Sequence, residues 1–173
     1  MCRPHLFFPV SKFLIELLDL KYLGEREDFM FVYNPINGTY FLFGGWGTDS
    51  QGSTNDRSDG WYLCIDKNVP IWTWIGGSST YSNSNVDRSK RGIERASNWP
   101  GSRSGMAFDC IPTKAICYMF AGGGASGNSA WYLNEMWSFS FNTSRWTYWG
   151  GTPIAGQYAV YGTFGNYSGE AWP

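Results

Sequence analysis

Most of this chain is written twice. Trp72-Thr73-Trp74-Ile75-Gly76-Gly77 returns as Trp146-Thr147-Tyr148-Trp149-Gly150-Gly151, 74 residues on. Phe41-Leu42-Phe43-Gly44-Gly45 returns as Met119-Phe120-Ala121-Gly122-Gly123, and Trp61 returns as Trp137. Gly24-Glu25-Arg26 returns as Gly101-Ser102-Arg103, and Trp99-Pro100 as Trp172-Pro173. The landmarks keep their order while the offsets drift by a few residues, as they do where loops gain or lose length. A period this long denotes one supersecondary unit used repeatedly, each copy burying its apolar faces against the next.

Within each copy the residues spell short strands. Residues 29–33 form an apolar, β-rich run, and Asn37-Gly38 supplies a hairpin turn because both residues accept positive φ. Residues 40–43 return and stop at Gly44-Gly45. A polar loop is expected over 46–59. Residues 61–65 alternate Trp61, Leu63 and Ile65 against Tyr62 and Cys64, and residues 71–75 close the unit. The second copy follows with 105–108, 117–120, 137–141 and 146–149. Composition agrees: 19% of residues are aromatic and 22 are Gly, which favours strands and tight turns over a helical bundle.

The reading divides the chain into 1–23, outside the repeat, 24–99, and 100–173. Over 11–23 the spacing of Phe13, Leu17 and Leu20 against Lys12, Glu16 and Asp19 predicts a short amphipathic helix, with Ser11 as N-cap and Gly24 as stop. Long Ser/Asn/Gly-rich loops are expected over 76–99 and 150–172. The first carries Arg88, Lys90, Arg91 and Arg95, read as a solvated cluster or as a patch for acidic groups.

Several function classes are excluded or weakened. A net charge of −1 creates no long-range pull toward nucleic acid or anionic membrane. No run reaches the ~18 apolar residues of a membrane span, and the first residues lack the cleavage site of a secretory leader; the compartment stays open. His5 is the only histidine, so no site in the chain has two imidazoles. Gly122 to Gly127 spells GxGxxG, but a strand rather than a helix is expected next, which suits a loop better than a dinucleotide site. Asn55, Asp59, Gly60 and Asp66 sit at calcium-loop spacing, but Arg57 occupies a ligand position. No cofactor or metal is expected.

Cys110 and Cys117 flank one predicted turn, where they form a disulfide or remain two small buried thiols. Cys2 and Cys64 show no evident partner. Asn37-Gly38-Thr39, Asn142-Thr143-Ser144 and Asn166-Tyr167-Ser168 match the glycosylation sequon.

The double glycine after the second strand, the aromatic Phe139 seven residues before Trp146, and the Trp opening the fourth strand resemble a kelch repeat. The first unit departs from that pattern, with Leu63 at the aromatic place. Gly44, Gly45, Gly122, Gly123, Trp61, Trp72, Trp137, Phe139 and Trp146 carry the resemblance, which covers about residues 24–173. It implies an all-β fold: two four-stranded blades of an incomplete β-propeller, completed by further blades in cis or by self-association. The chain is accordingly expected to be a piece of a larger propeller.

The resemblance also implies a non-catalytic module that binds a protein or a glycan through its rim loops, with Arg26, Arg103, Trp46 and Trp131 as contacts. For the two arginines the alternative is packing along the blade edge. The alternative for the whole chain is a scaffold segment of an oxidase- or sialidase-like enzyme whose catalytic residues lie elsewhere.

Overall fold

The computed structural model describes residues 23–81, 90–126, 129–152, 156–167, 169 and 171–173. These residues are all-β, arranged in antiparallel sheets, with a single 3-10 turn at Pro112–Lys114. Apart from Leu23, the helix expected over 11–23 lies outside the described residues.

The first unit is a four-stranded meander of β2 (Met30–Asn34), β3 (Thr39–Phe43), β6 (Gly60–Asp66) and β7 (Val69–Gly76). The second repeats it with β10 (Ala107–Ile111), β11 (Ile116–Phe120), β14 (Met136–Ser140) and β15 (Arg145–Gly150). A fifth strand, β8 (Glu94–Arg95), lies on the outer edge of β15. The buried Asn98 holds it there, its side-chain amide donating to the carbonyls of Ile93 and Trp146.

The segment expected to be a polar loop contains two further strands. β4 (Trp46–Thr48) and β5 (Thr54–Asp56) pair with each other, and β1 (Arg26–Glu27) pairs with β4. The second unit has the same small sheet, built from β9 (Arg103–Ser104), β12 (Gly123–Ser126) and β13 (Ser129–Tyr132). The GxGxxG segment is therefore one strand of a hairpin rather than a loop. Polar strands of two to four residues have no apolar alternation by which sequence reading finds them.

The small sheets also fix the true alignment of the units. Arg26 pairs with Gly47 and Arg103 with Gly124. Gly44 (φ 69°) and Gly45 (φ 99°) are matched by Ala121 (φ 60°) and Gly122 (φ 100°), not by Gly122-Gly123. The amide of Gly44 bonds the carbonyl of Asp59, as the amide of Ala121 bonds that of Glu135. Ala121 thus adopts the left-handed conformation that glycine occupies in the first copy, and this displaces the apparent double glycine by one residue.

The units dock face to face. Phe41 stacks on Phe139 with ring centroids 4.1 Å apart and planes 2° from parallel. Phe43 packs on Trp146 at 4.8 Å. Met30, Met119 and Trp137 complete a core with no solvent exposure beyond 1%. Backbone bonds join the units at the end that bears the small sheets: Gly45 to the Arg103 carbonyl, Arg103 to that of Arg57, and Gly105 to that of Asp28.

Strand register also shows what the first unit leaves open. Trp61, Leu63, Trp72 and Trp74 share one face of it, through the pairs Trp61 with Trp74 and Leu63 with Trp72. Their counterparts are Trp137, Phe139, Trp146 and Tyr148, paired alike and buried against the first unit. On the first unit that face is solvent-facing, with Trp74 51% exposed and Phe31, Tyr33 and Ile65 also exposed.

Candidate functional site

Arg26 opens the first small sheet and turns its side chain inward. Its Nη1 and Nη2 donate to Oδ1 and Oδ2 of Asp59, each at 3.0 Å, a two-pronged match of guanidinium and carboxylate. Nη1 also donates to the Gly44 carbonyl, and Trp61 Nε1 donates to Asp59 Oδ2 at 2.7 Å. The second unit repeats the arrangement: Arg103 Nη2 meets Glu135 Oε2 at 2.8 Å, and Trp137 Nε1 meets the same oxygen at 3.3 Å. The side chains of Arg103 and Glu135 have no exposed surface. Each unit therefore has an arginine, a carboxylate and a tryptophan locking the small sheet to the meander. The two arginines are held inside the frame, and Arg26 keeps 4% of its side chain exposed.

A third guanidinium strengthens the first copy. Arg57 Nη2 donates to the carbonyls of Ser78 and Ser79, and its Nε lies 3.6 Å from Asp59. The matching position is Leu133, whose amide bonds the Gly122 carbonyl as that of Arg57 bonds Gly45. Burial pushes the Asp59 carboxyl up, but the hydrogen bonds and charge of Arg26, the Trp61 indole and the Arg57 charge outweigh it, so its pKa is held below the ordinary value. Asp56, which accepts a 2.6 Å bond from Ser104 across the seam, is shifted the other way: burial raises its pKa, only partly opposed by Ser104 and Arg103.

Trp46, 42% exposed, shares a groove of about 330 Å³ with Glu25, Arg26, Glu27 and Thr54. Trp131 lies in β13, in register with Gly124. Arg26 and Trp46 thus line one groove of the first unit, whereas Arg103 and Trp131 belong to the small sheet of the second. Of the basic cluster, Arg91 sits over the Trp172 ring at 5.8 Å, Arg95 lies in β8, and Arg88 is outside the described residues.

A concavity lies along the outer seam between the units. It encloses about 680 Å³ between the end of β7, residues 96–101, and the turn leading into β15. Trp74 and Trp99 converge there on Gly76. The Trp74 indole donates to the Gly76 carbonyl at 2.6 Å, and the Trp99 ring lies so close that a Cβ on Gly76 would sit 2.7 Å from it. Only glycine permits that approach, and Gly150 repeats it beneath Trp172. Trp99 Nε1 is spent on the Ser58 carbonyl. The walls present Ser79, Ser97, Thr143 and Ser144, with Arg145 at one end. Sequence reading placed Trp74 and Trp99 in the repeat but gave no reason to join them, because their meeting depends on the path of the chain between the units.

Cys110 and Cys117 face each other across β10 and β11 and form a disulfide; Cys64, for which the sequence shows no evident partner, is also disulfide-bonded. Asp59 and Asp66, two of the calcium-spaced residues, are far apart in role: one is ion-paired with Arg26, the other exposed at the strand end. Among the described residues, no three His, Cys, Asp or Glu side chains converge as a metal group, and no helix is long and apolar enough to cross a membrane. Neither a scan against protein-family models nor a search of curated proteins finds a match to this chain.

Proposed function

We propose that the chain is a non-catalytic binding module of two kelch-type blades, and that it holds a saccharide in the seam cleft. The observation that carries this reading is the convergence of two indoles on Gly76 inside a hydroxyl-lined cleft. A sugar ring has an apolar face of C–H groups and a rim of hydroxyls. An exposed indole suits the first and Ser/Thr side chains the second. Arg145, which has no acidic partner among the described residues, suits a carboxylate-bearing sugar at its end of the cleft. A cleft of this size favours a small ligand over a flat protein surface.

Support for the blade reading is the repeated meander, the face-to-face docking, and the aromatic outer face of the first unit. Apart from Trp74, which turns to the Gly76 carbonyl and lines the cleft, that face has the residues by which the second unit docks, so it suits one more blade, in the same chain or in a second copy.

The test is calorimetric titration of the full chain with neutral oligosaccharides and with uronic-acid oligosaccharides. Binding is expected, tighter for the acidic set. Trp74→Ala should weaken both by about tenfold or more, which corresponds to ~1.4 kcal/mol. Arg145→Gln should weaken the acidic set alone. No heat with any saccharide would overturn the reading.

A further inference from the structure

The glycosylation-type sequons remain unexplained by the cleft and the blades. Two of them lie wholly within the described residues, and both fall on tight exposed turns. Asn142-Thr143-Ser144 is the β14–β15 turn, with all three residues exposed. Asn37-Gly38-Thr39 ends the β2–β3 turn, with Asn37 and Gly38 exposed. The residue between Asn and the hydroxyl is Thr143 or Gly38, neither of which is the proline that blocks the motif. In the second turn the Thr39 hydroxyl donates to Asn37 Oδ1 at 2.7 Å, the pairing of hydroxyl and carboxamide that the three-residue spacing allows.

An independent observation concerns redox conditions. Cys110–Cys117 and Cys64 are disulfide-bonded. Disulfides persist in oxidising compartments, the same route on which asparagine is glycosylated.

We infer that Asn142 and Asn37 are N-glycosylated. In that step the Asn carboxamide nitrogen attacks the anomeric carbon of a lipid-diphosphate glycosyl donor. The N–C bond forms, the C–O bond to the diphosphate breaks, and the nitrogen loses one proton to a base of the transferring enzyme. Asn142 is the stronger site because its whole sequon is exposed in the folded chain, whereas Thr39 is buried once folding is complete.

Both turns lie at the same end of the meanders, since the first–second and third–fourth connections of an antiparallel meander leave from one side. The small sheets and the Trp46 groove occupy the opposite end. Glycans would therefore sheathe one end and leave the other bare. Asn142 also immediately precedes Thr143, Ser144 and Arg145, which wall the seam cleft, so its glycan would stand at the cleft's lip.

The test is peptide mass mapping of the protein isolated from its own cells. Trypsin releases Asn142 within 115–145 and Asn37 within 27–57, each peptide holding a single sequon. Enzymatic deglycosylation should convert Asn142, and then Asn37, to Asp in most molecules. Translation of the full chain behind a cleavable secretory leader into microsomes gives a second readout, in which Asn142→Gln and Asn37→Gln should each remove one glycan step on a gel. Recovery of the 115–145 peptide with Asn142 wholly unmodified from the native protein would overturn the inference.

Discussion

Phe41 and Phe139 lie flat on each other across the seam, 4.1 Å between centroids, each on a strand of a different repeat unit. They are not counterparts: Phe139 corresponds to Leu63 of the first unit, on the face that remains open. The stack therefore joins unlike faces of like units, the geometry by which a repeat adds copies in one direction.

Equivalent residues should then have unequal energetic weight. Trp146 is fully buried, and Trp146→Ala should cost about 3–5 kcal/mol. Its counterpart Trp72 is only half-buried, and Trp72→Ala should cost about 1–2 kcal/mol. Denaturant titration of both variants checks this; equal costs would mean the first unit's outer face is covered. Trp146→Phe should be mild, because the Trp146 Nε1–H is buried with no hydrogen-bond partner among the described residues.

The buried ion pair of the second unit makes a separate prediction. Glu135→Ala removes a buried carboxylate from the Arg103 guanidinium and should cost about 3–5 kcal/mol. Replacing both, with Arg103→Met and Glu135→Leu, should recover much of that loss. A single variant as stable as the parent would show that the pair does not bind the small sheet to the meander.

Two aspartates predict opposite pH responses. The pKa of Asp59 is depressed, so its contribution is present above the ordinary carboxylate value of about 3.9 and is lost as pH falls through the lower folded value. Asp59→Asn should thus destabilise at neutral pH and flatten the loss of stability in acid. The pKa of Asp56 is raised, so its folded form holds its proton longer, and it costs stability once pH exceeds that raised value. Asp56→Asn should leave neutral stability unchanged or higher. Melting curves across acid and neutral pH distinguish the two; parallel behaviour would contradict the assignment.

The Cys110–Cys117 bridge spans a sequence separation of 7. Replacing both cysteines with Ala should cost about 2 kcal/mol, at the low end for disulfides because the closed loop is short. A larger loss under reduction than in this variant would reflect Cys64, which is also bridged.

Residue spacing decides which parts of this fold are legible in the sequence. Trp61, Trp72, Trp137 and Trp146 announced the repeat and its four strands, because rings with two χ angles packed on a pleated face recur at a fixed period. The small sheets escaped notice because Trp46–Thr48 and Thr54–Asp56 are too short and polar to alternate. The glycine register slipped by one because Gly122-Gly123-Gly124 offers two pairings, and only the left-handed φ of Ala121 selects between them. The sequence points to Arg26 and Arg103 but not to the carboxylates that hold them. Asp59 and Glu135 differ in type and lie 33 and 32 residues downstream, so no local pattern ties them to the arginines. The signal was nonetheless there: in both units an acid stands two residues before the third-strand tryptophan.

Two like units dock face to face, and a double-mutant cycle on Phe41→Leu and Phe139→Leu tests that docking most directly. Stacked across the seam, the rings should show a coupling of about 0.5–1.5 kcal/mol in denaturant titrations of the two single variants and the double. Costs that add to within ~0.3 kcal/mol would mean the rings do not meet, and would contradict the docked arrangement.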